Sequence, residues 1–309
     1  MNARVSRRRA LSVLASACCT LSVGCNLLWR KPEAPDVKLP TTGPVDTTGL
    51  TAETAVSYLN GEADKVKSVD ARDINLTVRG PGGSPPTLSG SLLVQKPRYF
   101  KLVGKFAGSQ EVLAGSNDER FWFYVPRMGD ALMHCSYSDF DRGVELPFPF
   151  DPEWVLEAMG MSHVPTDGRV RVEKDPKSGT ARIIQDATLH GQNVTKVTVC
   201  YLARATRNVP QVKQRIVYDA NGKVICTATT KSVTRVAVGK DRTGQTVYAT
   251  VPEVIKLEWP AQETSMEIDL GPVKINSQLP MDAFQMPRVG SKTIDLGRDR
   301  PTGRVVPAH

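Results

Sequence analysis

Residues 88–106 read LSGSLLVQKPRYFKLVGKF and residues 117–126 read NDERFWFYVP, and the architecture of the chain is legible in these two stretches. In the first, Leu88, Leu92 and Val94 share one parity. Pro97 breaks the run, and Phe100, Leu102 and Phe106 resume it with Lys101 and Lys105 on the alternate positions. Successive side chains of an extended strand point to opposite faces, so this is the signature of strands with one dry face and one wet face. The same alternation returns late in the chain. There Ile255, Leu257 and Trp259 oppose Lys256 and Glu258, and Met266, Ile268 and Leu270 oppose Glu267 and Asp269. Half-buried strands belong to antiparallel sheets, and the helices that parallel βαβ crossovers need are missing between them. Asp219-Ala220-Asn221-Gly222 is a turn joining strands at 212–218 and 224–230, and the Gly/Pro-rich residues 80–86 form a loop before the Leu88 strand.

Two short amphipathic helices complete the pattern. Thr51 precedes Ala52, Ala55, Val56 and Leu59 at helical spacing, with Glu53 in the first turn and Gly61 weakening or ending the helix. Asp151 is placed to cap a second helix with Pro152 in its first turn, Val155, Leu156 and Met159 on its apolar side and Gly160 as its stop.

The ends of the chain read differently from its middle. Arg7-Arg8-Arg9 precede an apolar run from Ala10 to Val23, too short for a membrane span of roughly 20 residues but suited to an export signal. Leu21-Ser22-Val23-Gly24-Cys25 resembles the lipobox of bacterial lipoproteins, which implies a lipidated Cys25 as the mature N-terminus, although Ser22 stands where that motif usually has Leu. Residues 6–11 also resemble a twin-arginine export motif, with Ala10 in place of Phe, so general secretion and twin-arginine export both stay open. Residues 26–47 carry Pro32, Pro35, Pro40 and Pro44 and few apolar side chains, and read as an extended tether spanning roughly 25 Å. The expected organisation is therefore a signal at 1–24, anchor and tether at 25–48, a folded domain at 49–287 and a basic flexible tail at 288–309.

Charge and cysteine content narrow the functional classes. The full chain carries +8, which falls to +4 once Arg4, Arg7, Arg8 and Arg9 leave with the signal, so it has no nucleic-acid footprint. Of six cysteines, Cys135, Cys200 and Cys226 remain in the folded part. If Cys200 and Cys226 lie on the outer two of three consecutive strands, they are about 9.6 Å apart, beyond disulfide reach. Free buried thiols are expected. His134 beside Cys135 is the one metal-like adjacency, and strand neighbours face opposite ways, so no metal or other cofactor is expected. No Gly-x-Ser-x-Gly elbow, phosphate-cradling loop or motif-like histidine is present. Asp139-x-Asp141 and Glu267-x-Asp269 are explained by alternating surface acids. The expectation is a non-catalytic protein.

The order strand, Lys96-Pro97 break, aromatic strand, polar turn and Phe121-Trp122-Phe123-Tyr124-x-Pro126 strand resembles the bacterial lipoprotein-localisation carrier and receptor (LolA/LolB-like) family. Residues 251–260 (VPEVIKLEWP) and 275–287 (INSQLPMDAFQMP) resemble its closing strands. The resemblance covers about Thr51 to Pro287. It implies a mainly β, α+β fold: a curved antiparallel half-barrel sheet with short helices covering an apolar concave face that takes acyl chains. On this basis Leu92, Val94, Phe100, Leu102, Phe106, Trp122, Tyr124, Leu257 and Trp259 are the candidate cavity residues. Lys96 is the candidate lid contact, standing where the soluble carrier has an arginine. The run 121–125 is apolar on both faces, and all these side chains serve equally well as ordinary core. Two functions stay open: an anchored binder of lipid or acylated lipoprotein, and an envelope scaffold that uses the same fold to hold a protein partner. Cys25 points to the lipoprotein receptor branch, and Asn26, not being Asp, favours an outer-membrane, periplasm-facing location.

Overall fold

Cross-strand register shows how the alternation seen in sequence becomes a continuous surface. The computed structural model describes residues 50–298 except 82, 84–85, 145, 147–150, 166–168 and 203–210. Cys25, the signal and the tether lie outside the described residues. The chain begins with helix α1 (Ala52–Asp64) and strands β1 (Ser68–Arg79), β2 (Leu88–Gln95), β3 (Tyr99–Phe106), β4 (Ser109–Ser116), β5 (Arg120–Tyr124) and β6 (Ala131–Ser136). Helices α2 (Tyr137–Asp141) and α3 (Pro152–Ala158) follow. The second half is β7 (Val170–Asp175), β8 (Thr180–Leu189), β9 (Gln192–Tyr201), β10 (Val212–Tyr218), β11 (Val224–Lys240), β12 (Thr246–Trp259) and β13 (Thr264–Asp269). Two short strands, β14 (Val273–Ile275) and β15 (Lys292–Asp295), end it.

All the strands belong to one open, curved sheet in the order β15-β6-β5-β4-β3-β2-β1-β13-β12-β11-β10-β9-β8-β7, with β14 beside β1. The pairings are antiparallel except β15 with β6, so the sheet is mixed at one edge. Directly paired residues share a face. The inner face thus runs through Phe121, Ser116 and Phe100, through Phe123, Ala114, Leu102 and Leu92, and on through Leu76, Ile268 and Ile255. Leu76, Leu92, Phe100 and Leu102 are fully buried. They join Trp154, Val155, Leu156, Tyr137 and Phe140 of the short helices in the main core. Each such Leu or Phe contributes about 1.5–3 kcal/mol by leaving water.

The helices form for local reasons. Thr51 accepts from the Thr54 N–H at 3.2 Å while the Thr54 hydroxyl accepts from the Thr51 N–H at 2.9 Å, a reciprocal cap on α1. Gly61 lies inside α1 rather than at its end. It is exposed with open space around it, so its cost of about 1 kcal/mol relative to Ala is offset by the buried Ala55, Val56, Leu59 and Ala63 face. Asp151 caps α3 as expected, accepting from the Glu153 N–H at 2.8 Å, and Gly160 leaves that helix with φ 73°. Helix α2 has no counterpart in the sequence reading; Ser136 caps it and Tyr137 and Phe140 hold it on the core.

Two expectations need correction. The basic stretch after residue 287 is not simply a flexible tail: Lys292–Asp295 pairs with β6, because Ile294 and Leu296 reach the main core. The outer face is not uniformly wet either. Leu279 and Phe284 cover Leu93 and Tyr99 on it, with the Tyr99 and Phe284 rings 5.4 Å apart.

Candidate functional site: a cleft on the concave face

At the β7–β11 end the inner face is not filled. Pairing places Ile183, Thr198, Arg215 and Ala228 in one row, and Gln185, Lys196, Val217 and Cys226 in the next. Facing them are α3 and the segments on either side of it. Between lies a cleft of about 850 Å³, with Val194, Val217, Cys226 and Trp259 in its floor and Phe140, Val144, Leu146 and Trp154 across from them. Exposed His163, Arg169 and Gln192 stand at its mouth. A volume of this size is typical of small-molecule sites, which span roughly 300–1,000 Å³.

Polar contacts fasten the helical cover. Lys196 Nζ on β9 donates to Glu157 Oε2 on α3 at 2.6 Å, and Arg98 pairs with Glu153 at 2.9 Å. Burial and the neighbouring Asp151 raise the Glu153 pKa against the opposing pull of Arg98. The β8–β9 hairpin turns on His190 (φ 49°) and Gly191 (φ 74°), the left-handed pair that a tight two-residue turn requires. The turn sets His190 at ion-pair distances, 3.5 Å from Asp151 and 3.6 Å from Asp141, with its ring 3.7 Å from that of Phe140. Burial pulls the His190 pKa down, but Asp151 and then Asp141 outweigh it, and the net shift is upward. Helix α1 is tied to the same cover: Asn60 donates to the Val164 carbonyl at 2.9 Å and accepts from the Val164 N–H at 2.8 Å.

The structure redistributes the candidate residues. Lys96 Nζ donates to the Ala63 carbonyl at 2.8 Å, so it holds the C-terminal end of α1, where a cation also complements the helix dipole. Burial lowers its pKa, with Asp64 opposing. Trp259 lines the cleft. Leu92, Val94, Phe100 and Leu257 are in packed core instead. Leu102 is also core and borders a separate apolar cavity of about 200 Å³ with Val78, Ala114, Phe123 and Met266. Phe106, at the end of its strand, is 43% exposed and lines neither cavity. Trp122 and Tyr124 face the other way. Phe121 and Phe123 are the inward pair of β5, and Trp122 covers Gly115 on the outer face, where a Cβ would lie 2.7 Å from the indole. Both parities of β5 are apolar because both faces are covered there.

Sequence reasoning missed Trp154, Lys196 and Arg215. Trp154 carries the helix periodicity of α3, but Lys196 and Arg215 share their faces with Val194 and Val217 while Val197 and Ile216 lie on the other, so residue types assign them no clear side. Cys226 also lies in the cleft floor, and burial pushes its pKa up, as it does those of Cys135 and Cys200, each to about 11. The three are free buried thiols, as expected. Among the described residues no cluster of three or more metal-ligating side chains occurs, and no helix is long and apolar enough to cross a membrane.

No family model and no curated protein matches the chain. Similar solved structures include a LolA superfamily protein from Nitrosomonas europaea, 11% identical, covering 77% of this chain and 98% of that one with a TM-score of 0.45. A DUF1329 family protein from Desulfovibrio piger ATCC 29098 is 12% identical, covers 79% and 98%, and scores 0.44. An outer membrane lipoprotein-sorting protein domain from Vibrio parahaemolyticus is 12% identical, covers 76% and 97%, and scores 0.40. Likeness at this level carries no functional argument, and the open curved sheet with its short helices rests on the strand pairing itself.

Proposed function

We propose that this protein is a cell-envelope lipoprotein, moored to a membrane through Cys25, whose half-barrel domain binds lipid or lipoprotein acyl chains without catalysis. The observation that carries the proposal is the cleft of about 850 Å³, floored by Val194, Val217, Cys226 and Trp259 and roofed by Phe140 and Trp154. Burying an acyl chain of about 16 carbons there contributes on the order of 12 kcal/mol, at about 0.8 per methylene. Much of that offsets withdrawal of the chain from a bilayer. Anchor, tether and folded domain then divide the work: the first moors, the second spaces and the third accepts cargo facing the periplasm.

Mass spectrometry of gently purified protein tests both halves. A co-purifying lipid lost on Trp154→Glu, together with a lipid modification on Cys25, is the expected result. A ligand-free cleft with a stably bound envelope protein replaces this function with that of a scaffold. An unmodified, freely soluble mature chain removes the mooring.

A further inference from the structure

Arg215 is the unusual residue of the cleft. It sits in the middle of β10 on the inner face and is only 6% exposed. Its Nη1 donates to Thr198 Oγ1 at 3.3 Å, while its Nε has no partner among the described residues. A guanidinium keeps its charge at any physiological pH, so burial does not neutralise it as it does a lysine. Buried charges are ordinarily paired.

The carboxylates of the cleft are already engaged elsewhere. Asp151 faces His190 at 3.5 Å, Glu153 pairs with Arg98 at 2.9 Å, Glu157 with Lys196 at 2.6 Å, and Asp186 with Arg171 at 3.7 Å. Glu62, which with Arg215 lines a small adjoining cavity, pairs with Lys65. Arg215 therefore has a hydroxyl for a neighbour but no carboxylate in ion-pair range among the described residues. A second buried donor on the cleft wall, Trp154 Nε1, is likewise unpartnered.

We infer that Arg215 is the anchor for the acidic headgroup, a carboxylate or phosphate, of an amphiphile whose chain lies in the cleft. This rests on the lipid-binding reading and makes it more specific: the cargo is anionic, and its charged end goes inward to β10 rather than staying at the mouth. The planar fork of Arg215 suits two-point contact with such an oxyanion. The apolar wall formed by Phe140, Leu146, Trp154 and Trp259 receives the chain.

The test titrates the full chain with hexadecanoate, hexadecyl phosphate, neutral hexadecan-1-ol and inorganic phosphate, read by calorimetry and by tryptophan fluorescence, to which Trp154 and Trp259 of the cleft contribute. Both anionic amphiphiles should bind about tenfold or more tightly than the alcohol, the worth of a charge-assisted hydrogen bond. Arg215→Met should abolish that preference and leave the affinity for the alcohol unchanged, and Arg215→Lys should keep part of it. Should Arg215→Met fail to fold by circular dichroism, carboxyl-carbon NMR of bound hexadecanoate on the wild type decides: its titration midpoint should fall well below that of a free carboxylate. A wild-type preference smaller than about threefold, an undisturbed midpoint, or inorganic phosphate binding as tightly as hexadecyl phosphate overturns the anchor. Failure of every chain-bearing probe to bind overturns the lipid-binding function as well, so the two failures are distinguishable.

Discussion

The ion pair between Lys196 and Glu157 should be the main polar fastening of α3 over the cleft, and a double-mutant cycle measures it. The two atoms are 2.6 Å apart, with side-chain exposures of 24% and 16%. At an effective dielectric constant of about 20, Coulomb attraction at that distance is about 6 kcal/mol. Desolvating two mostly buried charges takes back several kcal/mol, leaving a net coupling of about 1–3 kcal/mol, above the roughly 0.2–1 kcal/mol of an exposed pair. Lys196→Met leaves Glu157 without its cation, and Glu157→Gln leaves Lys196 without its anion. Each single change should therefore destabilise more than the pair's net worth, and the double variant should recover part of the loss. Urea unfolding of the four proteins gives the coupling directly. A value under about 0.5 kcal/mol would refute the reasoning and reduce the pair to a surface contact.

Other expectations follow from placement. Phe121→Ala removes a ring packed on Tyr137 at 5.6 Å and Phe140 at 5.0 Å, and should cost about 3–5 kcal/mol by urea unfolding, whereas Phe106→Ala at the exposed strand end should stay within about 0.5 kcal/mol. Gly115→Ala drives a methyl into the buried Trp122 indole and should lower stability by about 1–3 kcal/mol, seen as a lower melting temperature; an unchanged value contradicts the outer-face packing. Because the folded-state pKa of His190 is raised, with Asp151, Asp141 and Glu153 facing it, its stabilisation is complete below the unfolded value of about 6.5 and fades as pH rises through the folded value. His190→Asn tolerates the left-handed backbone and should erase that pH dependence, measured as the melting-temperature difference from wild type across the neutral range. Native Cys135, Cys200 and Cys226 should resist an aromatic disulfide reagent at neutral pH and react on unfolding; fast labelling of any of these three in the native protein, located by peptide mass spectrometry, contradicts their burial.

How much of the molecule was legible depended on whether one face of an element met water. Strands such as β12, where Ile255, Leu257 and Trp259 are buried against the opposed Lys256 and Glu258, declare their orientation because one side is dry and the other wet. Strand β5 does not. Phe121, Trp122 and Phe123 are all nearly buried, so hydrophobicity carries no parity, and choosing Trp122 over Phe121 as the inward side was undecidable from residue types. In β9 and β10 the signal is mixed: Lys196 and Arg215 point inward beside Val194 and Val217, while Val197 and Ile216 share the opposite face. A rule that sends charges outward fails where the inner face borders a cleft rather than a filled core.

Composition and local chemistry by themselves determined a mainly β domain with two capped helices and unpaired thiols, because period-two patterning, capping side chains and turn residues act over a few neighbours. Which concave residues pack solidly and which leave space was decided only by the tertiary structure. That outcome depends on how far α1, α2 and α3 reach across the sheet. Side chains of α2 and α3 join Leu92 and Phe100 in the main core and α1 packs on Ile183 and Cys200, while a cleft stays open beside Val217 and Arg215, a difference set by contacts between residues far apart in the chain.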